Sequence, residues 1–220
     1  MNNGSVIILG AGGGSRELLA LMRDACAARG EPFPVAGILD DNPVLQGSSV
    51  DGAAVLGPLE LAHTFAEASF LCGMANARNR GLRLAVAGRL ALPERRWGRF
   101  LHPRAWVADN AVVGEGVILY PGSIVSSAAA VGAHSVVYYN AVIHHDSRVG
   151  PGCSLCAGVC VAGGVTVGRG SYLGAGCVIR DGVRIGEGAL IGMGAVVVND
   201  VSAGETVVGV PARPIGGKPP

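Results

Sequence analysis

Stepping along the chain by six from Val107 meets a branched aliphatic residue every time: Val107, Val113, Leu119, Val125, Val131, Val137, Ile143, Val149, Leu155, Val161, Val167, Leu173, Ile179, Ile185, Ile191 and Val197. A backbone that returns each of these to an equivalent environment coils with a fixed period, and the environment is a core. Two residues before each sits a mostly small side chain, among them Ala111, Ser123, Ala129, Ser135, Ala141, Ser147, Cys153, Ser171, Cys177, Ala189 and Ala195. Gly follows the aliphatic residue in many repeats, and a turn-tolerant residue stands three beyond it, so turns recur every six residues. Such a chain makes short strands joined by tight corners, three per coil, stacked into a prism. A Gly-rich β-sandwich has strands of variable length and leaves the period unexplained. Composition agrees: 36 Gly without a G-X-Y period supply the corners, and 50% hydrophobic residues supply a core.

The same segment is poor in charge, with no Asp, Glu, Lys or Arg between Glu115 and Asp146 or between Arg148 and Arg169. A hydropathy window alone reads both stretches as membrane spans, but their regularly spaced Gly, Ser and Pro and their β-branched residues identify solenoid coils. A net charge of +1 without a Lys/Arg run speaks against nucleic acid or an anionic membrane as partner and leaves small polar ligands. The opening MNNGSVIILGAGGG has no basic n-region or cleavage site, which predicts a cytoplasmic chain with its six cysteines reduced. Cys153, Cys156 and Cys160 fall in different phases of the repeat, as do His134, His144 and His145, so neither set predicts a metal site.

Ahead of the repeats, Val6 to Leu9 is a short apolar run, followed by Gly10-Ala-Gly12-Gly13-Gly14-Ser15. From Arg16 to Arg29, Leu18, Leu19, Met22 and Cys26 fall at helical spacing. This reads as strand, glycine turn and helix, with Ser15 as cap, Glu17 at the positive end and Gly30 as stop. Val35 to Leu39 supplies the next strand, ending at Asp40-Asp41-Asn42-Pro43. A βαβ unit predicts a ligand crevice beyond its strand ends. Backbone N–H groups at Gly10, Gly12, Gly13 and Gly14 can approach a phosphate, and Asp40 and Asp41 can accept hydrogen bonds from ribose hydroxyls or base N–H groups. The dinucleotide fingerprint is imperfect, since GxGxxG reads Gly10-x-Gly12-x-x-Ser15, and a tight βα turn with a strand-terminating Asp is the competing reading. Ser69 to Cys72 with Gly73-Met74-Ala75-Asn76 reads as a further strand and ligand-facing turn, and Arg78 to Leu92 as the helix after it.

A small glycine-turn α/β domain before an uninterrupted hexapeptide solenoid resembles the NeuD/PglD-like sugar acetyltransferases. The resemblance is carried by Gly10-Ala-Gly12-Gly13, Leu39-Asp40-Asp41, Leu101-His102-Pro103, Asn140-Ala-Val-Ile143-His-His145-Asp146 and Gly209-Val-Pro211-Ala-Arg213, the fourth being the most specific. It implies a Rossmann-like nucleotide-sugar-binding domain over residues 1–100, a left-handed parallel β-helix over 101–205 and a tail over 206–220. It also implies acetyl-CoA as donor, a nucleotide-linked amino sugar of dideoxy type as acceptor, and a homotrimer with substrate between the N-terminal domain of one chain and the solenoid of its neighbour. The product would feed a surface polysaccharide or glycan.

In that family setting His145 is the general base and Asp146 the group that orients its ring. An amine attacks a thioester only with its lone pair free, so a positioned base is needed. Gly163, one coil later, is the expected backbone donor to the oxyanion. Gly174, Ala175 and Gly192 are small enough for a pantetheine arm to lie against the backbone. Ser154 stands where some relatives place a second His near the donor and is expected to contact the coenzyme, while Gly14-Ser15 replaces a His common in the family's nucleotide loop. Gly73 belongs to the acceptor side, no metal is expected, and the role of His144 stays open. O-acetylation of a sugar such as sialic acid uses the same base, and a non-catalytic nucleotide-sugar binding module keeps the solenoid as a scaffold; the residues alone leave both readings open.

Overall fold

The computed structural model describes residues 5–74 and 77–215, so Ala75 and Asn76 of the ligand-facing turn and the end of the tail lie outside the described residues. The N-terminal sheet contains β1 (Val6–Leu9), β2 (Val35–Leu39), β3 (Ser49–Val50), β4 (Ala53–Gly57) and β5 (Ser69–Cys72), in the order β3-β4-β2-β1-β5. All pairs are parallel except the β3–β4 hairpin. Because β2 and β5 flank β1, the strand order reverses between β1 and β5, and the loops after these two strands border a crevice at that switch point.

Helix α1 (Gly13–Arg29) buries Leu18, Leu19, Met22 and Ala25 and stops at Gly30, which takes the left-handed conformation at φ 65°. Its start corrects the expectation for Ser15. The N-cap is Gly12, with no side-chain cap, because Gly13 and Gly14 are themselves helical. Ser15 therefore lies inside the first turn, fully buried, with its hydroxyl unpartnered. Glu17 lies two residues further in, past the first turn rather than at the positive end, and its carboxylate, after burial, helps push the Tyr120 and Tyr139 hydroxyls of the solenoid up. Helix α2 spans Leu82–Leu90, shorter than the expected run, because Arg78 to Gly81 form turns and Ala91 closes it in the left-handed region.

Beyond α2 the chain coils. Face 1 stacks Phe100–Leu101, Ile118–Leu119, Val136–Val137, Ser154–Leu155, Tyr172–Leu173, Leu190–Ile191 and Thr206–Val208 in parallel, with Arg213–Pro214 folded back antiparallel. Face 2 stacks Trp106–Val107, Ile124–Val125, Val142–Ile143, Cys160–Val161, Val178–Ile179 and Val196–Val197. Face 3 stacks Val112–Val113, Ala130–Val131, Arg148–Val149, Thr166–Val167 and Arg184–Ile185. The protein is thus an α/β unit followed by a left-handed parallel β-helix. The first solenoid strand is Phe100–Leu101, so a boundary between residues 100 and 101 falls within it, and Thr206–Val208 of the expected tail is a face-1 strand.

The aliphatic series fills the prism: every member from Leu119 to Val197 is at most 3% exposed. Small polar residues are tolerated between them because each finds a backbone carbonyl, Ser123 on Tyr120 of its own turn and the others one coil away. Ser135, Ser147 and Ser171 donate to Gly150, Ala162 and Gly186, and the Cys153 thiol sits in the same slot against Gly168. Phe100, Ile118, Tyr120 and Val136 share a core with Leu18, Leu19 and Met22, which docks the N-terminal sheet and helix onto face 1. No helix among the described residues is long and apolar enough to cross a membrane.

Candidate active site

His145 stands at the corner between faces 2 and 3, after Val142–Ile143 and before Arg148–Val149. The ladder holds this corner from both sides: His144 N–H donates to Val161 O at 2.9 Å and Asp146 N–H to Ser127 O at 3.0 Å. Asp146 takes the left-handed conformation at φ 60°, which most of the solenoid's left-handed corners give to Gly. A short polar side chain that bonds locally tolerates this region at a cost of about 1 kcal/mol. The local bond is to the neighbouring imidazole, with His145 Nδ1 2.8 Å from Asp146 Oδ2. With Nδ1–H donated to the carboxylate, Nε2 keeps its lone pair, and both side chains are mostly exposed, at 65% and 68%.

Gly163 lies directly across from this ring. A Cβ there would stand 2.6 Å from Cε1 and 2.7 Å from Nε2 of His145, so only glycine admits the imidazole in this pose. Among the described residues the Gly163 N–H has no hydrogen-bond partner, whereas Ala162 N–H donates to Ile179 O and Gly164 N–H to His145 O. The structure therefore brings together an imidazole, a carboxylate on its Nδ1 side and a backbone N–H without a partner among the described residues. His144 is exposed beside them.

The glycine loop builds a crevice at the end of the N-terminal sheet. Gly10 turns at φ 91°, and a Cβ on it would collide with the Met74 side chain at 2.4 Å. A Cβ on Gly14 would meet Gly73 O at 2.4 Å, so Gly14 and Gly73 lock the loops after β1 and β5 together. Gly12 and Gly13 face open space, with the first N–H groups of α1 beside them. Asp40 acts on the loop itself, its carboxylate accepting from Ala11 N–H at 2.7 Å and Asn42 N–H at 2.8 Å. Asp41 accepts from Leu59 N–H and from Arg89. Burial pushes the Asp41 carboxyl up, but these bonds and the Arg89 charge outweigh it and hold it below the usual carboxylate range.

Ser154 corrects an expectation. It points outward from face 1 beneath the N-terminal domain, 4% exposed, and its hydroxyl accepts from Arg83 at 2.8 Å, so it cannot reach a coenzyme. Gly174, Ala175 and Gly192 lie at the corner between faces 1 and 2, not on the His145 corner. There Gly174 packs on the backbone of the next coil and Gly192 on Val208, so coil stacking alone requires their small size. The same corner carries Tyr138 and Tyr139, which pack with Tyr120 at centroid distances of 4.7 and 4.9 Å and lie against the same core as Ala11 of the glycine loop. This aromatic seam and Arg83 were missed by sequence reasoning. The seam left one usable signal, the recurrence of Tyr after the aliphatic residue at 120 and 138.

In a single chain the crevice adjoins face 1 and its corner with face 2, while His145 stands at the far edge of face 2. The outward residues of face 2 are Trp106, Ile124, Val142, Cys160, Val178 and Val196, a stripe without charge in which Trp106 is 56% exposed. Among the described residues no group of three or more His, Cys, Asp or Glu is placed to hold a metal ion.

A family model described as bacterial transferase hexapeptide (six repeats) matches residues 146–181 and 164–199. PerB from Caulobacter crescentus, in complex with CoA and GDP-perosamine, is 30% identical over 97% of this chain and 98% of that chain, with a TM-score of 0.81. A histidine-to-alanine variant of GDP-perosamine N-acetyltransferase from the same organism, with the same two ligands, is 29% identical at the same coverage, with a TM-score of 0.83. The acetyltransferase domain of PglB from Neisseria gonorrhoeae, in complex with acetyl coenzyme A, is 25% identical over 97% of this chain and 100% of that chain, with a TM-score of 0.81. No curated protein matches the chain.

Proposed function

This chain belongs to the NeuD/PglD-like family of CoA-dependent, hexapeptide-repeat sugar N-acetyltransferases, and from that membership we propose that it moves acetyl from acetyl-CoA to the amine of a nucleotide-linked dideoxy amino sugar, with His145 as general base. The observation that carries this reading is the His145 ring held between the Asp146 carboxylate and Gly163. The acceptor nitrogen bonds to the thioester carbonyl carbon, and the negative charge that develops on the carbonyl oxygen has the Gly163 N–H at hand as donor. His145 Nε2 takes the proton that the nitrogen sheds. As the C–S bond breaks, the same proton passes to the leaving sulfur, yielding amide and free thiol with a neutral imidazole. Asp146 balances the imidazolium in between and keeps Nε2 aimed outward.

The open N–H groups at Gly12 and Gly13 and the dipole of α1 suit the diphosphate of the acceptor. The charge-free stripe on face 2 supports assembly into a homotrimer, in which the His145 corner of one chain stands beside the crevice of the next. The test is His145→Ala assayed with UDP-, GDP- and dTDP-linked amino sugars. Thiol release from acetyl-CoA is expected to fall by about 10²- to 10⁴-fold, with sugar-nucleotide affinity unchanged. Undiminished turnover in this variant refutes the assignment.

A further inference from the structure

One buried cation has no part in the chemistry above. Arg83 on α2 is 3% exposed and makes no ion pair among the described residues. An unpaired buried charge is costly unless its hydrogen bonds are complete, and here the fork is filled by oxygens from three segments. Nε donates to His134 O at 2.7 Å and Nη1 to Met74 O at 3.1 Å. Nη2 donates to Gly152 O at 3.0 Å, Cys153 O at 2.9 Å and Ser154 Oγ at 2.8 Å. His134 and Gly152 to Ser154 belong to successive coils of the solenoid, at its corner between faces 3 and 1. Met74 belongs to the crevice: its side chain covers Gly10, and its neighbour Gly73 presses on Gly14 and Ser15. Arg83 therefore holds the crevice wall and two solenoid coils at once.

We propose that Arg83 is a positioning residue, fixing the Gly73–Met74 wall of the acceptor crevice against the solenoid and so setting where a bound acceptor presents its amine. This rests on the reading of the crevice given above. Lysine has the charge but not the planar fork, and an ammonium cannot span acceptors on both sides of the seam. In Arg83→Lys, hydrogen exchange should quicken at the crevice amides of residues 9–15 and 70–74, with the coils from residue 160 onward unchanged. With GDP-perosamine or another accepted sugar from the panel, KM for the sugar should rise about tenfold or more, as misplaced substrates do, with KM for acetyl-CoA unchanged. Arg83→Met, which keeps the stem but leaves the acceptors unpaired, should show the same pattern more strongly.

Faster exchange confined to residues 134 and 152–154, faster exchange spread evenly over both domains, or equal rises in both KM values would reduce Arg83 to an ordinary structural anchor. If the parent enzyme accepts none of the sugars, the acceptor reading falls, while the exchange pattern still decides what Arg83 holds in place.

Discussion

At the scale of the residue, the critical relation is between His145 and Gly163. Gly163 has an ordinary negative φ, so alanine fits the backbone there and only the Cβ position, 2.6 Å from the imidazole, is forbidden. Gly163→Ala should therefore displace the ring from Asp146 and lower kcat by about 10²-fold, with the melting temperature nearly unchanged because the corner is open to solvent. Steady-state kinetics alongside a thermal melt checks both halves. The placing of His145 beside Asp146 and opposite Gly163 was legible because it follows from adjacency in the chain and from the phase of the repeat. Ser154 was misread because phase reports that a side chain points outward but not which face another domain covers. Arg83 was invisible for a related reason: an arginine on a helix reads as solvent-facing until the tertiary structure closes over it.

At the scale of the element, glycines in the corners do two different jobs that the sequence writes with one letter. Gly182 is in the left-handed region at φ 70°, with nothing within 4 Å of a Cβ. Gly168 has an ordinary φ, but a Cβ would stand 2.4 Å from Glu187 N on the next coil. Gly182→Ala should cost about 1 kcal/mol of conformational strain, whereas Gly168→Ala should cost about 2 kcal/mol or more, because backbone in the neighbouring coil must move. Urea unfolding of the two variants measures the difference. The period of the solenoid was readable because every coil repeats the same inward demand. The start of α1 was not, because Gly13 and Gly14 entered the helix and carried the expected cap, Ser15, inside it.

At the scale of the whole molecule, the join between the two domains carries two histidines, His102 buried and His134 half-buried. His102 is 5% exposed, and His134 stacks edge-on with Trp97 at 4.6 Å while its carbonyl accepts from Arg83. Burial, with Arg104 beside His102 and Arg83 beside His134, depresses both below the ordinary value of 6.5. The unfolded chain then takes up protons first as pH falls, so this contribution to stability is complete above 6.5 and is lost as pH falls toward the depressed folded values. Melting temperature measured from pH 7.5 to 5 should decline for the parent chain and decline less for His134→Asn, which keeps a residue suited to the left-handed corner. The separation of the crevice from His145 by the full width of face 2 has a consequence of another kind. If each reaction centre is shared between neighbours, two dead proteins can repair one another. Gly13→Leu, which blocks the open crevice, and His145→Ala, unfolded and refolded together in equal amounts, should recover about a quarter of parental turnover in randomly mixed rings of three, whereas centres contained within single chains would recover none.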